Sequence, residues 1–137
     1  PASGDVFSGD HVMAWSTSVI IPPDGNMADY LNSLQLMLER NDKCYWPTHG
    51  PALRTPAAYV EALIAHRHQR MDDILELLAQ GPLCTAQMVK PLYPGLDPRL
   101  IGGASRSILA SLLYLIDKGQ IESSGDIPLK STYRRVI

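Results

Sequence analysis

The sequence is poor in the residues that staple small extracellular domains or build a metal cage on their own. It has two cysteines, Cys44 and Cys84, and four histidines, His11, His49, His66 and His68. Two distant thiols do not make a disulfide framework, and in a non-secreted chain the expected state is reduced. No run approaches the ~20 consecutive apolar residues that a membrane helix needs. No basic start followed by an apolar stretch marks a secretory leader. These gaps point to a cytoplasmic protein with no membrane partner. Repeats and low-complexity segments are also missing. The 137 residues are 45% hydrophobic and 19% charged with a net charge of -2, a globular composition with core enough for one domain or two small ones. The chain opens on Pro1 rather than methionine, so it is expected to be a piece of something longer.

What is present changes character along the chain. VFSGD and STSVII read as strands separated by a loop, and IPPDGN as a turn. NMADYLNSLQLMLERN reads as a helix capped by Asn26, with Met27, Tyr30, Leu31, Leu34, Met37 and Leu38 on one face. KCYWPTHG reads as a short strand broken at Pro47. RTPAAYVEALIAHRHQRMDDILELLAQG is one long helix, capped by Thr55, with Pro56 at its first position and Gly81 after its end. Its stripe is Val60, Leu63, Ile64, Met71, Ile74, Leu75 and Leu78, with His68 between Ile64 and Met71. A helix of some 25 residues would span ~37 Å, long enough to pass from one domain into another. TAQMVKPLY is a short helix capped by Thr85. DPRLIGGASRSILASLLYLIDKG is a third, with Leu100, Ile101, Ala104, Ile108, Leu112 and Leu115 facing the core. QIESS and TYRRVI are strands joined by GDIPLKS. Three helices followed by a hairpin is the order of a winged helix. The fold class is therefore α+β: residues 1–69 form part of a layered α/β unit including the start of the linking helix, and residues 70–137 a winged-helix domain. A sheet as small as that of the first part leaves edges and one face uncovered, which argues for missing partner strands upstream.

Two residues suggest chemistry. Asp10 ends the first strand, in VFSGDHV, and His49 follows another, in YWPTHGP. In a layered α/β unit both strand ends can reach one rim, where sites collect. A carboxylate and a neutral imidazole suit Zn, Mn or Fe. The same two residues also have plain structural readings, since an Asp before a turn is commonly a cap and a His in a P-T-H-G segment is commonly a turn residue.

FSGDHV, then YWPTHGP, then a helix carrying AHRHQRMDDILELL resembles the metallo-β-lactamase superfamily. The likeness is strongest to glyoxalase II-like hydrolases with a C-terminal winged helix. It extends through PPDGNMADYLNSL and YPGLDPRLIGGASRSILASLLYLIDKGQI. The resemblance implies an αββα sandwich whose C-terminal half is represented here, with two zinc ions per full-length chain held between two sheets; Mn and Fe stay open. It implies Asp10 as the bridging ligand of both ions, hence catalytic, and His49 as a ligand of the second. It implies attack by a metal-bound hydroxide on a small-molecule thioester, ester, lactone or phosphodiester.

The departure from the family pattern is equally informative. The superfamily's H-x-H-x-D-H motif and one further His would lie upstream of Asp10. His66-Arg67-His68 imitates its start, but Arg70 and Met71 stand where Asp and His are required. Residues two apart on a helix point ~200° apart and cannot chelate one ion. The chain is therefore expected to be the C-terminal portion of such an enzyme, inactive alone.

The remaining candidates have competing readings. His11 should point away from Asp10 and support the ligand segment or the structure rather than bind metal. His68 is either a satisfied core histidine, the favoured reading, or a substrate-pocket group. Arg67 and Arg70 are either substrate anion binders or, preferably, partners of Asp72, Asp73 or solvent. Tyr30 is either at a pocket mouth or packed, preferably packed. Trp15 and Trp46, which flank the two ligand segments, either shield the site from water or, by default, fill the core. Residues 70–137 carry eight basic residues against seven acidic ones, a poor footprint for duplex DNA; RNA stays open as a partner. The alternative functions are a winged-helix binding or dimerisation module and a nuclease acting on single-stranded RNA. Pairing into a homo-oligomer would cover the half-domain's exposed apolar surface.

Overall fold

The computed structural model describes residues 3–13, 18 and 20–137. The chain divides into two units: residues 1–19 with 29–67, and residues 20–28 with 68–137. The division falls inside one long helix.

In the first unit, β1 (Asp5–Gly9) is followed by α1 (Met27–Glu39, whose first two residues belong to the other unit), β2 (Cys44–Pro47) and the opening turns of α2 (Pro56–Ala79). β1 and β2 pair in parallel, with Val6 opposite Tyr45, Phe7 opposite Trp46 and Gly9 opposite Pro47. Parallel neighbours need a crossover between them, and α1 lies in that stretch of chain. The register shifts between Phe7 and Gly9, and Gly9, at φ +58°, is the last residue of β1. The strand alternation is visible in burial. Tyr45 is buried and donates its hydroxyl to the Met37 carbonyl of α1 at 3.3 Å, whereas its neighbour Trp46 and the opposed Phe7 are exposed. Trp46 therefore does not fill the core, and Trp15 lies outside the described residues. Leu31, Leu34, Cys44, Leu53, Val60 and Leu63 are buried, as are Val12 and Met13 after β1. The strand expected over residues 16–21 falls largely outside the described residues; Ser18, Ile20 and Ile21, which are described, belong to no strand.

The second unit holds the rest of α2, then β3 (Leu83–Cys84), α3 (Thr85–Leu92), a 3-10 turn (Pro98–Leu100), α4 (Ile101–Asp117), β4 (Ile121–Ser123) and β5 (Thr132–Arg135). The sheet order is β3-β5-β4, antiparallel throughout. This is the expected three helices and hairpin, with a third strand added by β3. Ile108, Leu112 and Leu115 of α4 are buried, as are Met88 and Val89 of α3, Ile121 and Tyr133. Tyr133 donates its hydroxyl to the Pro128 carbonyl at 2.7 Å, tying β5 to the loop before it. Pro98–Asp117 is long and apolar enough by length and composition to cross a membrane. Ala104, Ile108, Leu112 and Leu115 of this helix are buried in the core of the unit.

Three local expectations fail. Thr85 does not cap α3: it sits inside the helix, fully buried, and Cys84 precedes it, its backbone N–H donating to Gln87 Oε1 at 2.8 Å. Leu100 and Ile101 do not face the core but are exposed: Leu100 ends a 3-10 turn whose rotation differs from that of the α-helix after it, and Ile101 is the first residue of that helix. Asp97 caps that turn, its carboxylate accepting from the Arg99 backbone N–H at 2.9 Å.

Candidate metal centre

The parallel pairing of β1 and β2 settles what their ends can share. Parallel strands finish on the same edge, so the turn after Gly9 and the segment after Pro47 emerge side by side. The Thr48 N–H donates to the Gly9 carbonyl at 3.1 Å and continues the pairing one step beyond the strands. Asp10 and His49 follow at once. Asp10 Oδ1 and His49 Nε2 lie 3.8 Å apart, with side-chain exposures of 66% and 63%. The two donors thus meet at an open rim rather than in the core.

That separation suits shared ligation. Two donors each ~2.0–2.2 Å from one ion sit roughly 3–4 Å apart. A carboxylate and an imidazole are also the donor types that such an ion takes. Among the described residues, no third His, Cys, Asp or Glu joins them to complete a site.

The turn that carries Asp10 is held from behind. The His11 N–H donates to the Ser8 carbonyl at 3.1 Å, and Ser8 Oγ donates to the Val12 carbonyl at 3.0 Å. Ser18 Oγ lies 2.6 Å from the Asp10 carbonyl oxygen and 2.8 Å from that of His11, so one hydroxyl proton serves both. The Ser18 carbonyl in turn accepts from Arg67 Nη2 at 2.5 Å.

His11 turns inward while Asp10 faces out. Its Nε2 is hydrogen-bonded to Ser33 Oγ at 3.1 Å, and its ring stands edge-on to Tyr30 with centroids 5.2 Å apart. Burial lowers the His11 pKa and favours the neutral ring. Its contacts are those of a structural anchor.

Arg67 departs from expectation. It is 5% exposed, forms no ion pair with Asp72 or Asp73, and lies 5.2 Å from the Tyr30 ring centroid. Val60, Leu63, Arg67, Met71, Ile74 and Leu78 are all buried, so the stripe of α2 runs through Arg67. His68 is therefore one step around the helix and exposed, not a core histidine. It lines an open cavity of about 420 Å³ with Asp72, Tyr114 and Lys118. Tyr30 is buried, as a packing residue would be. Arg70 donates to the Leu92 carbonyl at 2.7 Å, stacks on Tyr93 and lies 3.9 Å from Asp73. Neither Ser18 nor Ser33 is signalled by the sequence, since neither stands in a recognisable motif. Arg67 is signalled by the three-four spacing of the stripe on which it falls.

Comparison with known proteins agrees with this architecture. Residues 85–131 match the family described as beta-lactamase associated winged helix domain. The chain is 28% identical over 124 residues to the beta-lactamase-like protein 2 homolog of Drosophila melanogaster, covering 88% of this chain and 41% of that protein. It is 26% identical over 100 residues to the probable metallo-hydrolase YqjP of Bacillus subtilis, covering 67% of this chain and 31% of that protein. The crystal structure of a metallo-beta-lactamase family protein from Thermus thermophilus superposes with a TM-score of 0.82 at 22% identity, over 98% of this chain and 43% of that one. The chain thus spans less than half the length of each of these relatives. Residues 85–131 thus match a β-lactamase-associated winged helix, and the chain is similar in sequence and fold to the C-terminal portion of metallo-β-lactamase superfamily proteins.

Proposed function

We propose that this chain supplies Asp10 and His49 to the metal centre of a hydrolase acting on small acyl or phosphoester substrates. The observation that carries the proposal is the 3.8 Å approach of one carboxylate and one imidazole, both exposed, at the shared end of two parallel strands. A divalent ion there, zinc by preference, would supply Lewis acidity that activates water and polarises a carbonyl or phosphoryl oxygen. Asp10, through its carboxylate, and His49, through a ring nitrogen, would hold the metal. The strand pairing holds both main chains, so neither ligand has to be ordered when the ion binds. His11, facing inward on Ser33 and Tyr30, anchors the turn and does not ligate.

Two donors do not fill a coordination shell, so the other ligands belong to sequence outside these residues. Hydrolysis is then a property of the longer protein. The test is a full-length protein assayed for metal content and for turnover of thioester, ester, phosphodiester and single-stranded RNA substrates. Close to two ions per chain, with turnover of a small acyl or phosphoester substrate abolished by Asp10→Asn, is expected. A metal-free protein, or turnover that Asp10→Asn leaves intact, contradicts the proposal.

A further inference from the structure

Arg67 is a buried cation without a carboxylate partner among the described residues. Its charge is met by the Ser18 carbonyl and the face of Tyr30. Its Nε and the Tyr30 hydroxyl are both buried without a hydrogen-bond partner among the described residues. Burying an arginine this way is costly, and an apolar residue would continue the α2 stripe at no such cost. What the guanidinium adds is a directed hydrogen bond to one carbonyl. That carbonyl belongs to Ser18, the residue whose hydroxyl holds the carbonyls of Asp10 and His11.

We propose that Arg67 is a positioning residue for the metal centre: through Ser18 it clamps the main chain of the turn that presents the Asp10 carboxylate. The inference rests on the reading of Asp10 as a metal ligand. Without the bond from Arg67, the Ser18 carbonyl can swing, the hydroxyl loses its bearing on residues 10 and 11, and the carboxylate samples a wider volume. The Tyr30 ring contacts both the guanidinium and, edge-on, the His11 imidazole, so the clamp and the inward anchor of the same turn share one support. This arrangement uses α2, α1 and the β1 turn to fix a single exposed side chain. Orienting partners of metal ligands typically change metal affinity 10–100-fold when lost.

The test compares the unsubstituted chain with Ser18→Ala, Arg67→Met and Arg67→Lys, reading zinc affinity and the amide exchange rate of His11, whose N–H bonds to Ser8. Asp10→Asn is the control that removes the ligand but not the clamp. Ser18→Ala and Arg67→Met should each speed His11 exchange and weaken zinc binding about 10-fold or more. Arg67→Lys, which keeps a cationic donor, should recover part of both. Asp10→Asn should abolish zinc binding and leave exchange unchanged. If Arg67→Met fails to fold, Ser18→Ala decides, because it deletes one oxygen. Unchanged exchange overturns the clamp, and so does faster exchange with undiminished zinc affinity. If the unsubstituted chain takes no zinc, zinc affinity is compared in the full-length protein carrying the same substitutions, whose own failure to bind metal would sink the metal reading separately, and His11 exchange in this chain upholds or overturns the hold of Arg67 on the turn.

Discussion

Asp10 Oδ1 and His49 Nε2 stand 3.8 Å apart although thirty-eight residues of chain separate them. The cause is the parallel register of β1 and β2, which brings Gly9 opposite Pro47 and releases both segments at one edge. Neither side chain is buried, so their proximity is not a by-product of core packing. A pair of exposed donors held by rigid main chain is the arrangement expected of ligands.

Removing either donor should therefore act on metal binding and not on folding. Both side chains are more than half exposed, and surface substitutions away from special features usually change stability by within about 0.5 kcal/mol. Asp10→Asn and His49→Ala are expected to keep the circular dichroism spectrum and thermal midpoint while losing zinc affinity by at least about 10-fold. Calorimetric titration beside a thermal melt checks both halves of the statement.

The chain by itself is expected to be catalytically silent. Added zinc or manganese should produce no esterase, thioesterase or phosphodiesterase turnover, since two donors leave the centre incomplete. Turnover that follows the 137-residue polypeptide through successive purification steps would contradict this.

Core packing of the winged helix gives a stability prediction. Leu112 is fully buried on α4. Leu112→Ala should destabilise by about 2–5 kcal/mol, from lost burial and the cavity left behind. Chemical denaturation at constant m-value measures it.

Asp97 gives a pH dependence. Hydrogen bonds from the Arg99 side chain and then from its backbone N–H hold the Asp97 pKa below the ordinary value of 3.8. A carboxylate with a lowered folded pKa contributes stability above its unfolded pKa and loses it as the pH falls through its folded pKa. Asp97→Asn should therefore melt lower than the unsubstituted chain at pH 7. The gap should shrink once the pH drops below 3.8. A gap that is constant with pH would show that the charge of Asp97 plays no part.

Much of this architecture is legible in the sequence because local signals agree with tertiary ones. Pro56 does begin α2, and Gly81 and Gly119, both at positive φ, follow the ends of α2 and α4. The apolar spacing of α1 and α4 finds most of their buried faces. The failures have a common form, in that each depends on contacts or backbone geometry that side-chain spacing does not carry. β3 is two residues long and exists through pairing with β5, so periodicity cannot reveal it. Ser18 matters through its bonds to residues 10, 11 and 67, none of them near it on the chain. Arg67 reads as polar and hence outward, although its place in the 60-63-67-71-74 spacing marks the buried face. Leu100 reads as helical core, but it lies in a 3-10 turn ahead of α4 and is exposed.

The central claim is that residues 10 and 49 bind one ion together, and paramagnetic broadening tests it most directly. Manganese added to the isotopically labelled chain should broaden the amide signals around Gly9–Asp10 and around Thr48–Gly50 in parallel, at the same metal concentrations. Asp10→Asn and His49→Ala should each remove the broadening from both segments. Broadening that appears at one segment without the other, or that persists at both in either variant, would contradict a shared site.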